Sequence, residues 1–175
     1  MELWDIYDFR RNKTGNYIQK GENLNENEYH LIAHVCLFNK AGEMLIQKRK
    51  ENKEDWPGKW DISAGGAAKA GEDSFQAAER ELFEELGIKM SLELRRPVIT
   101  VYFDDGFDDY YILELDDCIL STIHYQKEEI DTIEWASRER IVELINQGTF
   151  DIILPFIDTI FFMKENRGNH YSSAQ

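Results

Sequence analysis

The sequence of 175 residues is poor in cysteine, proline and basic side chains. It has two cysteines, three prolines, and 20 lysines and arginines against 34 aspartates and glutamates, which gives a formal net charge of -14. So few cysteines exclude a disulfide framework, and we expect Cys36 and Cys118 to be reduced packing residues. The negative charge argues against nucleic acid as a partner, because binding to its phosphates requires basic patches.

Long apolar runs are also missing. No segment approaches the roughly 20 apolar residues needed to span a bilayer, and the first residues lack the basic flank and apolar run of a signal peptide. We therefore expect no membrane association and a cytoplasmic location. The length suits one domain across residues 1–175, with residues 1–27 as an extension of short strands and loop and residues 167–175 as a flexible tail.

The most informative stretch covers residues 66–88. Asp73, followed three residues later by Gln76, has the spacing of a capping box, which predicts that a helix begins there. Gly87 suits the left-handed backbone just past a helix end, and Ile88 suits the apolar contact that accompanies it. This stretch therefore predicts a loop, a helix and a stop.

Acidic side chains cluster on one face of the predicted helix. Glu81, Glu84 and Glu85 share that face at spacings i, i+3 and i+4, where like charges repel. A divalent cation such as Mg²⁺ or Mn²⁺ would reverse the sign of the interaction, because these ions take carboxylate ligands. Glu72 in the preceding loop could supply a further oxygen, and Arg80 could hold one carboxylate in place. The alternative interpretation is a solvated acidic face.

The full spacing of this stretch carries a family resemblance. The matching positions are Gly66, Glu72, Arg80, Glu81, Leu82, Glu84, Glu85, Gly87 and Ile88. They coincide with every fixed position of the Nudix box, so the chain resembles the Nudix hydrolase family. The resemblance implies an α/β fold, namely the Nudix-type α/β/α sandwich with a mixed sheet. It also implies Mg²⁺-dependent (or Mn²⁺-dependent) hydrolysis of a diphosphate linkage in a small molecule, and a homodimer is common in this family.

The same resemblance assigns roles within the box. It implies that Glu81, Glu84 and Glu85 are metal ligands with catalytic functions, with Arg80 acting beside them. The general base is often a carboxylate outside the box or a glutamate within it, and here it stays open. The predicted acidic loop at residues 104–109 offers Asp108 and Asp109, and a later run offers Glu128 and Glu129. Each of these could equally be plain surface charge.

Two features before the helix suit diphosphate binding. Arg49 and Lys53 belong to the one basic cluster of the chain and could bind diphosphate oxygens, although a solvated loop is the alternative. The adjacent Gly65 and Gly66 would allow the backbone to approach a ligand closely and to expose its N–H groups. We therefore expect these four residues to bind substrate.

Several ring side chains around these features are expected to support the fold. His30 and His34 are predicted to pack or to form hydrogen bonds, with metal ligation as the less favoured role. Trp56 and Trp60 are predicted to pack.

Apolar periodicity predicts the remaining elements. Residues 30–38 are typical of a strand buried on both faces, and a turn at residues 39–42 leads into a partner strand at residues 43–49. Further strands are predicted at residues 91–103, broken at Pro97, and at residues 110–115 and 130–135. A turn is predicted at residues 12–16, and residues 61–66 are predicted to lead into the box. Ser137 is predicted to cap a helix at residues 138–146, and a last helix is predicted at residues 155–165.

The segment from His30 to Glu85 also resembles isopentenyl-diphosphate isomerase. The shared features are His30, Leu-Phe-Asn at 37–39, the Arg49 and Lys53 pair, and Trp-Pro-Gly at 56–58. The isomerase needs a catalytic cysteine where this chain has Gly65 and a metal-binding histidine where it has Ala67. We therefore expect a hydrolase from the Nudix branch with isomerase-like sequences, acting on a nucleoside diphosphate derivative or related compound. An isomerase and a non-catalytic nucleotide-binding module are the alternatives.

Overall fold

The computed structural model describes residues 2–53, 56–116, 121–150, 152 and 154–166. The strands are β1 (Leu3–Tyr7), β2 (Lys13–Gln19), β3 (His30–Phe38), β4 (Met44–Arg49), β5 (Trp60–Asp61), β6 (Ala64–Ala67), β7 (Ile99–Phe103), β8 (Gly106–Glu114) and β9 (Ile130–Ala136). The helices are α1 (Ser74–Leu86), α2 (Arg138–Asn146) and α3 (Leu154–Asn166). The predicted tail at residues 167–175 and Cys118 lie outside the described residues.

The central sheet is mixed and is built around β3. Strand β8 pairs with β3 in parallel along its whole length, and β7 pairs antiparallel with β8. On its other side, β3 pairs antiparallel with β6 and, at its end, with β4. Strand β4 also pairs with β5 and β9. Strands β1 and β2 form a separate antiparallel hairpin.

Helices cover both faces of this sheet. Successive side chains of a strand point to opposite faces, so Val35 packs in the cluster that includes Leu82 of α1. Its neighbour Cys36 packs with Phe38 in the second cluster, which includes Ile157 of α3. Burial on both faces explains why β3 is a continuous apolar run. The predicted α/β/α sandwich with a mixed sheet is confirmed.

Helix α1 begins and ends where its caps predict. The backbone N–H of Asp73 donates to Oε1 of Gln76 at 2.8 Å, the back-reaching half of the capping box. Gly87 has a φ of 71°, and the N–H groups of Gly87 and Ile88 donate to carbonyl oxygens of the last turn. The local sequence therefore fixes the register of the glutamates.

The acidic segment at residues 104–109 is not one loop, and that prediction was wrong. Strand β8 already begins at Gly106, so Asp108 and Asp109 lie within a strand. The reason is non-local: β3 offers a pairing partner from His30 onward, and His30 pairs with Gly106. Alternation along β8 then sends the two aspartates to opposite faces of the sheet.

The observed bounds of other strands and turns differ less from the predicted ones. The strand predicted at residues 91–103 is confined to Ile99–Phe103, after the break at Pro97. The first turn lies at residues 8–12 rather than 12–16, because Oδ1 of Asp8 accepts hydrogen bonds from the N–H groups of Arg10 and Asn12. The segment leading into the box contains the short strands β5 and β6.

The predicted helices near the end of the chain are confirmed. Oγ of Ser137 accepts a hydrogen bond from the N–H of Arg140 at 3.3 Å, which caps α2.

Cys36 is fully buried, and burial raises the pKa of its thiol, as suits a packing residue. Across the described ranges, no helix is both long and apolar enough to cross a bilayer.

Candidate metal and diphosphate site

Arg80 joins the carboxylates of the α1 surface. Its Nε and Nη2 donate to the two oxygens of Glu72 at 2.8 and 3.0 Å. Its Nη1 donates to Glu81 at 2.5 Å and to Glu84 at 3.0 Å, and Nη2 also donates to the carbonyl of Ala67 at 2.9 Å. The guanidinium of Arg80 therefore offsets the repulsion among three carboxylates. From the sequence, we expected Arg80 to hold only one carboxylate.

Glu85 is the buried member of the cluster, with 6% of its surface exposed. Its Oε2 accepts hydrogen bonds from Nε2 of Gln47 at 3.0 Å and from the N–H of Gly65 at 3.2 Å. Burial and the nearby charge of Glu81 raise the pKa of Glu85 to about 8. Burial also raises the pKa of Glu81. Both carboxylates are therefore harder to ionise than an exposed glutamate.

Glu84 lies at the open side of the cluster, with 44% of its side chain exposed. Its Oε1 accepts a hydrogen bond from Nζ of Lys69 at 3.2 Å. Partial burial would raise the pKa of Glu84, but the hydrogen bonds from Lys69 and Arg80 outweigh it and lower that pKa. Glu84 is therefore ionised where its two neighbours resist ionisation.

The two glycines of β6 lie against side chains on opposite faces. A Cβ at Gly66 would collide with the carboxylate of Glu81, and a Cβ at Gly65 would collide with Nδ1 of His34. These glycines therefore allow side chains of the protein itself to approach the backbone closely, and their predicted approach to a ligand stays a prediction. The N–H of Gly65 donates to Glu85.

The donor set fits a hard divalent cation. Glu81, Glu84 and Glu85 offer carboxylate oxygens on one face of a helix, the chemistry that Mg²⁺ and Mn²⁺ select. Over the residues that the structure describes, no three acidic or histidine side chains already converge as a metal-binding group. Arg80 engages one oxygen of Glu81 and one oxygen of Glu84, so its contacts can persist while the second oxygen of each carboxylate turns to an ion.

Arg49, one member of the basic pair, borders the glutamate cluster through β4. Gln47, which binds Glu85, and Arg49 are two residues apart on this strand and so lie on the same face. Nη1 of Arg49 lies 3.8 Å from Oδ2 of Asp61. The charge of Asp61 also contributes to the raised pKa of Glu85, which makes Asp61 an acidic neighbour that the sequence analysis missed.

The sequence profile of the NUDIX domain matches residues 28–154. This chain belongs to the Nudix family. The match includes the whole box and the basic pair, and it leaves the β1–β2 hairpin outside.

Relatives agree with this assignment. An uncharacterized Nudix hydrolase of Listeria monocytogenes is 42% identical over 171 residues, covering 98% of this chain and 100% of that protein. The isopentenyl-diphosphate Delta-isomerase of Corynebacterium diphtheriae is 23% identical over 158 residues, covering 86% of each chain. A crystal structure of a Deinococcus radiodurans protein has a TM-score of 0.73 at 22% identity, covering 91% of this chain and 99% of that one, which supports the fold.

Among the candidate bases of this Nudix protein, Asp109 is fully engaged. Its carboxylate accepts hydrogen bonds from Nη1 and Nη2 of Arg11 at 3.1 and 2.7 Å and from Oγ1 of Thr100 at 2.6 Å. Only 1% of Asp109 is exposed. A general base must reach a water molecule, so this geometry favours a structural role for Asp109.

We expect Asp109→Asn to lower stability rather than catalysis. The change removes one partner of a buried ion pair, and because Arg11 is 30% exposed we expect a loss on the order of 2 kcal/mol. The free energy of unfolding should fall in a urea titration, while kcat stays within about twofold. Asp104→Asn, at an exposed position, is the control. A large fall in kcat without a loss of stability would instead support a base role for Asp109.

The other candidates have different surroundings. Asp108 lies on the sheet face opposite to α1, with Oδ1 3.3 Å from Nε2 of His34. Glu128 is exposed in the turn at residues 127–129, and its neighbour Glu129 accepts a hydrogen bond from Lys53 at 2.9 Å. The turn follows Gln126, whose N–H donates to the carbonyl of Glu85, so the Glu128 segment borders the glutamate cluster.

The packing predictions hold for three of the four ring side chains. His30 stacks on Trp4 with ring centroids 4.9 Å apart, and His34 stacks on Tyr110 at 4.6 Å. Trp60 packs against the second core cluster. The prediction was wrong for Trp56, which is 54% exposed at a φ of 53°. The Pro and Gly that follow Trp56 form a turn that leaves its ring outside the core.

We expect the metal-free protein to lose stability as the pH rises. The pKa of Glu85 is raised from 4.5 to about 8, so folding favours its protonated form. That stabilisation is present below the unfolded pKa and is lost as the pH rises through the folded pKa. Melting temperatures measured in EDTA from about pH 5 to about pH 9 should fall less steeply for Glu85→Gln than for the parent protein. Equal slopes for both proteins would contradict this assignment.

Proposed function

We propose that this Nudix hydrolase cleaves the diphosphate linkage of a nucleoside diphosphate derivative or a related small molecule, with Mg²⁺ or Mn²⁺ as its cofactor. One observation carries the proposal. Glu85 is buried, Glu81 is partly buried, and both have raised pKa values, although a capped helix holds these like-charged side chains together. A bound divalent cation would relieve this repulsion.

The proposed roles follow from position. Glu81, Glu84 and Glu85 would hold the cation, while Arg80 and Gln47 orient their carboxylates. Arg49 and Lys53 would bind the diphosphate at the border of this cluster, exchanging their present carboxylate partners for phosphate oxygens. Bound divalent metal supplies charge neutralisation at the phosphoryl oxygens and an activated water.

The geometry disfavours the isomerase alternative. That chemistry needs a thiol at position 65, where Gly65 has Nδ1 of His34 in the place that a side chain would fill. The metal-binding histidine of the isomerase is replaced by Ala67, whose carbonyl accepts a hydrogen bond from Arg80. The box carboxylates, in contrast, are all present. Hydrolysis therefore remains the better-supported function.

A hydrolysis screen tests the proposal. Nucleoside diphosphate derivatives, sugar nucleotides, dinucleotides and prenyl diphosphates would be incubated with Mg²⁺ or Mn²⁺, and released phosphate would be measured after a coupled phosphatase step. Isopentenyl diphosphate would also be followed by proton NMR. Turnover that depends on the metal supports the proposal. Binding without turnover across the panel would favour a non-catalytic module, and double-bond migration would favour an isomerase.

Location and assembly are part of the same proposal. We propose a cytoplasmic enzyme, because its substrates would be soluble metabolites, and a homodimer, because this assembly is common among Nudix proteins. Light scattering coupled to size-exclusion chromatography would measure the mass in solution. A mass equal to the 20.6 kDa chain would contradict the dimer.

A further inference from the structure

The N-terminal hairpin, which lies outside the family match, contacts the loop that opens the Nudix box. The carbonyl of Leu3 accepts a hydrogen bond from the N–H of Ala70 at 2.7 Å. Oδ2 of Asp5 accepts one from the N–H of Gly71 at 2.8 Å. Asp5 is only 6% exposed, so a charged side chain is buried for these contacts. Strand β1 therefore holds the backbone at two consecutive residues of the loop.

The second strand of the hairpin adds a lysine to the same place. Nζ of Lys13 lies 3.0 Å from Oδ2 of Asp5 and donates to the carbonyl of Glu72 at 2.9 Å. The same ammonium is 3.6 Å from Asp73, the residue that caps α1. Lys13 thus compensates the buried charge of Asp5 and extends the contact to the start of the helix.

The position of this loop affects the glutamate cluster through hydrogen bonds. Gly71 has a φ of 91°, a backbone conformation that only glycine adopts readily, and its N–H is one of the two loop groups that the hairpin binds. Glu72 follows directly, and its two carboxylate oxygens bind Nε and Nη2 of Arg80. Arg80 in turn holds Glu81 and Glu84. A continuous series of contacts therefore connects the hairpin, through Glu72 and Arg80, to two of the proposed metal ligands.

We propose that Asp5 and Lys13 are positioning residues of the metal site. They hold the loop so that Glu72 fixes the guanidinium of Arg80, and Arg80 fixes the orientation of the Glu81 and Glu84 carboxylates, which already share one face of the helix. This inference rests on the proposed function. Its consequence is that part of the metal site is built by a hairpin that the family signature does not contain.

Variants of the two residues test the inference. Lys13→Met and Asp5→Asn would be compared with Lys20→Met, which removes an exposed ion pair to Glu2 in the same hairpin. Mn²⁺ affinity, measured by electron paramagnetic resonance of free Mn²⁺, should weaken about tenfold in both positioning variants. This is the smallest loss typical of replacing a residue that orients metal ligands. Their kcat should fall by a similar factor with KM unchanged, and Lys20→Met should match the parent protein.

A second readout uses no metal and no substrate. Amide hydrogen exchange at Gly71 and Glu72, measured by NMR in EDTA, should be faster in Lys13→Met than in Lys20→Met, and Lys13→Arg should restore both slow exchange and Mn²⁺ affinity. Because Lys13 is 33% exposed, its replacement leaves the core intact. Mn²⁺ affinity and exchange rates equal to those of Lys20→Met would overturn the inference. A parent protein that binds Mn²⁺ but hydrolyses no diphosphate would overturn the proposed function alone.

Discussion

Glu85→Gln should lower kcat for diphosphate hydrolysis by about 10²- to 10³-fold, the range found when one group that stabilises transition-state charge is removed. The amide oxygen of glutamine can still accept hydrogen bonds from Gln47 and from the N–H of Gly65. The variant therefore keeps the shape of the site and loses the charge that would hold a divalent cation. Steady-state phosphate release at saturating Mg²⁺ would measure the effect.

The control for Glu85→Gln lies on the same helix. Glu79 faces away from the cluster and accepts hydrogen bonds from Ser91 and from the N–H of Leu92, which glutamine can also accept. We expect Glu79→Gln to retain kcat. In EDTA at about pH 8, Glu85→Gln should melt at or above the temperature of the parent protein, because the buried carboxylate is gone. Unchanged turnover in Glu85→Gln would remove Glu85 from the proposed chemistry.

The part of the site that could be predicted from sequence is the part that local interactions determine. Helix α1 carries its own start signal at Asp73 and Gln76 and its own stop at Gly87. Between these caps, helical geometry alone sets which side chains share a face. The clustering of Glu81 and Glu84 under Arg80 therefore needed no knowledge of the rest of the chain.

The parts that could not be predicted depend on distant segments. Asp109 looked like one of two equivalent aspartates in an acidic loop. Pairing of β8 with β3 turned it to the face opposite to Asp108, and Arg11, which is 98 positions away, meets it there. Nothing in the spacing near residue 109 signals that partner. Asp61 was missed for the same reason, because only the pairing of β5 with β4 brings it beside Arg49.

The role of Glu72 could be predicted only in part from the sequence. Its place in the box suggested a metal ligand, and that assignment stays a prediction. In the structure both of its oxygens accept hydrogen bonds from Arg80, and Oε2 also accepts one from the N–H of Lys69. Sequence spacing could not distinguish a ligand from a partner of Arg80, because the path of the loop decides which way a side chain turns.

Arg80→Lys should weaken Mn²⁺ binding and hydrolysis by about 10- to 100-fold, as found when groups that orient metal ligands are replaced. Lysine carries the same charge, but its single ammonium cannot bind Glu72 through two parallel hydrogen bonds while also reaching Glu81 and Glu84. The carboxylates would then repel each other without a fixed partner. The melting temperature should also fall, because the guanidinium is largely buried.

Arg140→Lys is the matched control for this substitution. Arg140 also binds two glutamates, Glu134 at 3.0 Å and Glu143 at 3.5 Å, but it does so at the surface, with 38% of its side chain exposed. Exposed pairs contribute about 1 kcal/mol or less, so stability and turnover should hardly change. If Arg80→Lys behaved like Arg140→Lys, charge alone would suffice at position 80. The fork geometry that links the loop to the helix would then have no part in the site.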